Sequence, residues 1–238
     1  MTIHDVFAKV SPRFRRRRMA DFMARFRPDR GTRILDVGGY PAFWAETSTK
    51  ARITILNIHP FEVASGMQDR CMAVVGDGTN LPFKDGGFDI VFSNSVIEHL
   101  RTWQAQKQFA REVRRVGRQY WVQTPAHEFF IEPHLLTPCV HWLPRAVQLK
   151  LARRCTVWGL IERPTPARAK DYVSELRLLK INEVSELFPE SLILRESFCG
   201  FTKSYVANVP PIGITGANAG GHVSCQCRGA GPPASLGR

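Results

Sequence analysis

"ILDVGGYPAFWA", residues 34–45, decides how the chain is read. Ile34 and Leu35 lead through Asp36 and Val37 into Gly38 and Gly39, the pattern of a buried strand feeding a tight turn. A dinucleotide-binding fingerprint, G-x-G-x-x-G, starting at Gly38 would need glycine at Tyr40 and at Phe43, and has neither. The position about 20 residues further on, where a carboxylate would take ribose hydroxyls, is Asn57. No G-K-[ST] triplet occurs anywhere, and aromatic bulk stands where a backbone would have to approach a diphosphate. Asp36, placed just before the turn, would repel a phosphate but suits the cationic end of a ligand.

Working outward, short apolar runs recur: 33–37, 53–57, 71–75, 89–93 and 120–124, mostly without polar alternation. Buried parallel strands read this way. Helix-compatible stretches lie between them, the clearest at 104–116, where Phe109, Val113 and Val116 share a face. The repeat predicts a doubly wound α/β sheet with right-handed crossovers. A helix is expected over "LRLLKINEVSELF" (176–188). The runs "SLILRESF" and "TKSYVAN" are then separated only by Cys199, Gly200 and Phe201, which predicts an antiparallel hairpin.

Upstream, residues 11–27 predict a helix, with Ser11 as N-cap, Pro12 at the first position and a stop before Pro28. Met19, Phe22, Met23 and Phe26 form its apolar stripe, and the Arg15–Arg18 run fans around a turn, with Arg15 and Arg18 expected to border the stripe. Residues 209–238 hold seven glycines and four prolines without periodicity and read as a disordered or loosely attached tail.

At 238 residues and 44% hydrophobic content, the chain has room for one full core with extensions. No run approaches the roughly 18–20 apolar residues that span a membrane. No secretion signal is read at the N-terminus, so a cytoplasmic protein is expected. Six scattered cysteines argue against a disulfide framework. His222, Cys225 and Cys227 lack a second ligand pair, so no metal centre is expected. The net charge of +12 is regional: residues 1–30 carry +6 and residues 145–178 carry +5, leaving +1 for the remainder.

Asp36 with Gly38 and Gly39, "GD" at 76–77, "LPFKDGGFDIVFS" at 81–93 and "VIEHL" at 96–100 stand in an order that resembles class I S-adenosylmethionine-dependent methyltransferases, and among these the type 11, small-molecule group. The resemblance runs from about Ile34 to Asn208. It implies a Rossmann-like sheet of seven strands, mostly parallel, with a C-terminal antiparallel hairpin strand. The domains are then a basic helix (1–30), the methyltransferase domain (31–208) with a basic lid inserted at about 143–178, and the tail. S-adenosyl-L-methionine is the implied cofactor. Asp36, Gly38 and Gly39 would hold its amino-acid part, and Asn57 its ribose hydroxyls, where the family usually has an acid. Asp77 and Gly78 would meet the adenine, and Ser93 and Asn94 would line the methionine side near the sulfonium. Tyr40, Phe43 and Trp44 would wall that side or pack the first helix, with packing favoured for Phe43 and Trp44. Plainer readings stand beside these: a turn cap for Asp36, an Asx turn for Asp77 and an ordinary strand end for Asn57.

Candidate proton acceptors follow the fourth and fifth strands: "IEHL" places Glu98 and His99 at the start of a helix, and "QTPAHEFFIEPHLL" places His127, Glu132 and His134 in the next loop, with His134 the first choice and His99 the second. The absence of a [DNS]-P-P-[YFW] motif at "NSVI" argues against a nucleic-acid base-amine enzyme. The expected acceptor is a small or lipid-linked molecule, with an anionic group accounting for the basic segments. Peripheral contact with an anionic membrane, at the inner membrane surface, is the related alternative. RNA-directed methylation and a non-catalytic cofactor- or partner-binding role are the rival functions. Oligomeric state and acceptor atom are not legible.

Overall fold

The computed structural model describes residues 12–63, 66–209 and 223–225. Helix α1 (Pro12–Phe26) precedes strand β1 (Arg33–Val37), the short helix α2 (Pro41–Ala45), β2 (Arg52–Asn57) and β3 (Cys71–Val75). Then come β4 (Phe88–Asn94), a 3-10 turn at Ile97–His99, α3 (Trp103–Val116) and β5 (Gly117–Pro125). The insertion holds a two-stranded ribbon, β6 (Ile131–Glu132) and β7 (Thr137–Pro138), and helices α4 (Arg145–Ala152), α5 (Val157–Glu162) and α6 (Pro166–Glu175). Helix α7 (Ile181–Leu187) and strands β8 (Leu192–Phe198), β9 (Phe201–Val209) and β10 (Val223–Cys225) complete the order.

The main sheet runs β10-β8-β9-β5-β4-β1-β2-β3. Strands β1 to β5 pair in parallel, and β9 lies antiparallel to both β5 and β8. The seven expected strands are all present, and the expected hairpin is β8–β9. The eighth strand is a difference: residues 223–225 of the tail pair in parallel with β8. An extended edge strand offers unpaired amides and carbonyls, and even a glycine-rich segment can satisfy them. Val209 ends β9, and the rest of the tail lies outside the described residues. Strand order reverses at β1, which has β2 on one side and β4 on the other. Ligand crevices in doubly wound sheets open beyond the carboxyl ends of strands at such a point.

Both faces of the sheet are covered. Leu35, Val37, Val91 and Val122 pack with Phe109 and Val113 of α3 and Val184 and Leu187 of α7. On the opposite face, Met19, Phe22 and Phe26 of α1 pack with Ile34, Trp44, Ile53, Phe92 and Trp121. Fully burying each such side chain contributes roughly 1.5–3 kcal/mol, so α1 belongs to the core it covers. The insertion has its own small core around Leu135, Val140, Trp158 and Val173, with Trp158 stacked on Tyr172 at 4.3 Å between ring centroids.

The helix expected over 176–188 forms only at 181–187. The preceding backbone is spent elsewhere: Arg177 N–H donates to the Glu98 carbonyl, and the Leu179 carbonyl accepts from His127 N–H. Those bonds anchor the end of the insertion to the turns after β4 and β5, and a helical backbone could not make them.

Candidate active site

The turn after β1 is built around Asp36. Its carboxylate is buried beneath Gly39, whose α-carbon lies so close that an added Cβ would fall 1.8 Å from Oδ2. Gly38 adopts φ +80°, and a Cβ there would strike Val96. The two glycines thus let the chain fold tightly over an acid. Trp44 Nε1 donates to Asp36 Oδ2 at 2.6 Å, and Oδ1 has no hydrogen-bond partner. Burial pushes the Asp36 pKa up to about 7, and the Trp44 bond offsets only part of that. Trp44 and Phe43 are therefore packing residues on the α1 side. Tyr40 is 58% exposed and meets Phe61 edge-on.

The remaining residues expected at a cofactor fall along neighbouring strand ends. Asn57, at the end of β2, donates from Nδ2 to the Gly39 carbonyl at 3.2 Å, so its amide clasps the β1 turn. Asp77 is exposed and closes an Asx turn through Thr79 N–H at 2.8 Å, which engages Oδ1. Gly78 lies against Val37 and Phe109. Ser93 is fully buried and donates its hydroxyl to the Val37 carbonyl, tying β4 to β1. Asn94 is half-buried and accepts from the Arg18 guanidinium.

That guanidinium is the largest departure from the sequence reading. Instead of bordering the apolar stripe, Arg18 is buried and makes a bidentate pair with Glu196 of β8, at 2.7 and 2.6 Å. It also donates to Gln123 of β5 at 3.0 Å. One side chain of α1 thereby ties the carboxyl ends of β4 and β5 to β8. Lys203 lies beside this network with its ammonium 3.6 Å from the Phe14 ring centroid. Burial, and then Arg18, lower its pKa to about 8.

The three residues expected to handle protons converge. His134 and Glu132, in the insertion after β5, bond through Nδ1 and Oε1 at 2.8 Å. Glu132 Oε2 also accepts from the Leu135 amide. The His99 ring meets His134 edge to face at 4.8 Å. Glu98, adjacent in the 3-10 turn, is fully buried: Oε2 accepts from the Thr124 hydroxyl at 3.2 Å, and Oε1 has no partner. Burial raises Glu98 to about 6, with His134 opposing. Burial would raise Glu132 as well, but His134 and the Leu135 amide outweigh it and hold the carboxyl below its ordinary range. Burial would likewise lower His134, but Glu132 and Glu98 hold it above the ordinary histidine value. His99 is open to solvent along one edge, yet loss of water around the rest of its ring, with His134 alongside, pushes it down to about 4. Beside Glu132 lies a cavity of about 350 Å³, bounded by His127, Leu135, Arg145, Val173 and Arg177.

Glu98 and Thr124 are the members of this cluster whose contacts sequence spacing does not show. The adjacency of Glu98 to His99 is a signal, but its burial depends on the packing of the 3-10 turn. No described helix is long and apolar enough to cross a membrane.

Residues 35–119 match the family model described as "Methyltransferase domain". An uncharacterized methyltransferase of Mycobacterium sp. (strain KMS) is 32% identical over 92 residues, which is 37% of this chain and 36% of that protein. The probable tRNA methyltransferase 9B of Homo sapiens is 26% identical over 182 residues, 69% of this chain and 39% of its own length. The chain thus matches little more than a third of the length of these curated relatives. Among solved structures, a Rhodobacter sphaeroides protein described as a putative Zn-dependent alcohol dehydrogenase superposes with a TM-score of 0.50 at 16% identity. That match covers 76% of this chain and 84% of the other, and shows likeness of fold alone.

Proposed function

We propose, for a chain that is a class I S-adenosylmethionine-dependent methyltransferase of the type 11 group, that it methylates a lipid-linked or otherwise anionic acceptor seated between the His99–His134 cluster and the insertion. The observation that carries this reading is the convergence of Glu98, His99, Glu132 and His134 beside the strand ends where the fold binds its ligand.

The chain's acceptor oxygens fit the cofactor. The unpartnered Oδ1 of Asp36 suits an ammonium, and the second oxygen of exposed Asp77 suits an exocyclic amine. S-adenosylmethionine supplies a methyl group on a sulfonium, a leaving group that needs no further activation. Catalysis by the protein is then largely positional, and well-oriented reactants gain on the order of 7–11 kcal/mol. For a hydroxyl acceptor, His134 is placed to take the proton. In the neutral form of His134, Glu132 fixes Nδ1–H and leaves Nε2 as the acceptor atom, and a positioned general base contributes roughly 10²–10⁴-fold in rate. When bound, the cofactor would give its methyl group to the acceptor oxygen and keep the carbon–sulfur electron pair, while the chain's own residues hold that oxygen in line.

The acceptor class is read from the insertion. Trp142, Leu143, Val147, Val157 and Leu160 are all exposed there. Lys150, Arg153, Arg154 and Lys170 line one groove, and Arg153, Arg154, Leu160 and Arg163 line the next. Exposed apolar side chains set among cations fit the interface of an anionic lipid layer, where each basic residue contributes about 1 kcal/mol. The test is incubation with methyl-labelled cofactor and a host extract separated into lipid, soluble and RNA fractions. Label in the lipid-linked or anionic small-molecule fraction is expected. Label confined to RNA would replace this reading with the RNA-directed one, and no label in any fraction would overturn it.

A further inference from the structure

We propose that Glu98, His99 and His134 form a binding site for one divalent transition-metal ion of zinc-like character. One ligand atom from each residue lies within 4.8 Å of the other two. Bonds of about 2.0–2.1 Å at tetrahedral angles set ligand atoms roughly 3.3 Å apart, so side-chain adjustments of up to about 1.5 Å close the set.

Several features separate this trio from a chance cluster. Glu98 Oε1 is buried without a hydrogen-bond partner, while Thr124 fixes the other oxygen of the same carboxylate. Leaving a buried carboxylate oxygen unpaired is costly, and a cation relieves that cost directly. His134 is bonded through Nδ1 to the buried Glu132 carboxylate, which leaves Nε2 for an ion. Carboxylate, imidazole and metal in that order form the usual outer support of a metal-bound histidine. The third ligand, His99, is exposed and gives an ion a way in. Glu132 in turn is held by the Leu135 amide, so the support extends into the core of the insertion.

Two imidazoles and one carboxylate favour zinc, iron(II) or manganese over magnesium, which prefers oxygen ligands and retained water. Three protein ligands leave open positions. The role of the ion rests on the proposed methyl transfer: with His134 Nε2 on the ion, an acceptor oxygen would occupy an open position, and the ion in place of His134 would promote loss of its proton. The existence of the site does not depend on that reading.

The full chain, stripped with a chelator and dialysed, is titrated with Zn²⁺ and separately with Mg²⁺ by calorimetry, and bound metal is counted by mass spectrometry. One zinc per chain is expected, with no magnesium binding at millimolar concentration. His99→Asn or His134→Asn should weaken zinc at least tenfold, and Glu132→Gln by about 10–100-fold through the outer support. The Co²⁺-loaded protein should show nitrogen and oxygen ligation without a thiolate band, which separates this site from His222, Cys225 and Cys227 in the tail. Failure of the wild-type chain to retain zinc overturns the proposal, as do zinc binding unchanged in the His99→Asn/His134→Asn double variant and a thiolate spectrum. S-adenosylhomocysteine binding is measured on the same samples. Its loss in the wild-type chain counts against methyl transfer and not against the ion, whereas its retention without zinc counts against the ion alone. A variant that loses both is unfolded, and then Glu132→Gln and the wild-type cobalt spectrum decide.

Discussion

Trp44 donates its indole N–H to Asp36 at 2.6 Å and, among the described residues, is the single hydrogen-bond donor to a carboxylate buried beneath Gly39. Burial raises the pKa of the acid to about 7 against the ordinary 3.8, and the Trp44 bond offsets only part of that rise. A carboxyl whose folded-state pKa is raised stabilises the fold fully below its unfolded value. That contribution is lost as pH rises through the folded value, here between about 4 and 7. At ~1.4 kcal/mol per unit, the loss is on the order of 4 kcal/mol. The ligand-free chain should therefore melt at progressively lower temperature from about pH 4 to 7 and level off above, and Asp36→Asn should flatten that slope. The same variant should bind S-adenosylmethionine at least tenfold more weakly, because the unpartnered Oδ1 and its charge are gone. Melting curves across pH, paired with calorimetry, check both. A variant that keeps full cofactor affinity would remove Asp36 from the cofactor site.

Trp44→Phe isolates the hydrogen bond. The ring contacts with Phe22 and Phe92 are largely kept, whereas the N–H is not. A buried carboxylate left without its donor costs about 1–3 kcal/mol, and the loss should be larger at pH 8 than at pH 6, where the acid is mostly protonated. Equal destabilisation at the two pH values would mean that Trp44 acts through packing alone.

These two residues mark how far sequence reasoning reaches. The strand runs, the β8–β9 hairpin and the apolar stripe of α1 are legible because hydrophobic spacing acts over a few residues. Bringing His99, Glu132 and His134 together was also within reach, since the ends of neighbouring strands share one edge of the sheet. The Trp44–Asp36 bond was not, because an aromatic residue eight positions on reads as packing until the turn geometry is known. The Arg18–Glu196 pair spans 178 residues, and in a run of four arginines nothing distinguishes the one that turns inward. Residues 177–179 misread as helix because their apolar spacing is helical, while their backbone is bonded to other segments.

Asn57 stands where the resemblance implies an acid, and its contacts give a reason for the amide. Its amide donates to the Gly39 carbonyl, which a carboxylate cannot do, and the residue is buried. Asn57→Asp should set a charge against that carbonyl and lower stability at neutral pH by about 1–3 kcal/mol, read from denaturant midpoints with an unchanged slope. If Asn57→Asp is instead as stable as the wild type and binds cofactor more tightly, the residue serves the ribose and not the turn.

The Arg18–Glu196 pair offers the sharpest stability test. Both side chains are largely buried, at 7% and 17% exposed, and the guanidinium also serves Asn94 and Gln123. Removing one partner leaves the other charge uncompensated, so Arg18→Met and Glu196→Met should each cost about 3–5 kcal/mol. The Arg18→Met/Glu196→Met double variant should lose less than the sum of the single losses, because neither charge is stranded. Arg18→Met should also raise the pKa of Lys203 from about 8, since Arg18 is one of the two influences that lower it. Denaturant titrations of the four proteins give the coupling energy. Strict additivity would mean that the pair contributes nothing beyond its packing, and α1 would then be held by Met19, Phe22 and Phe26 alone.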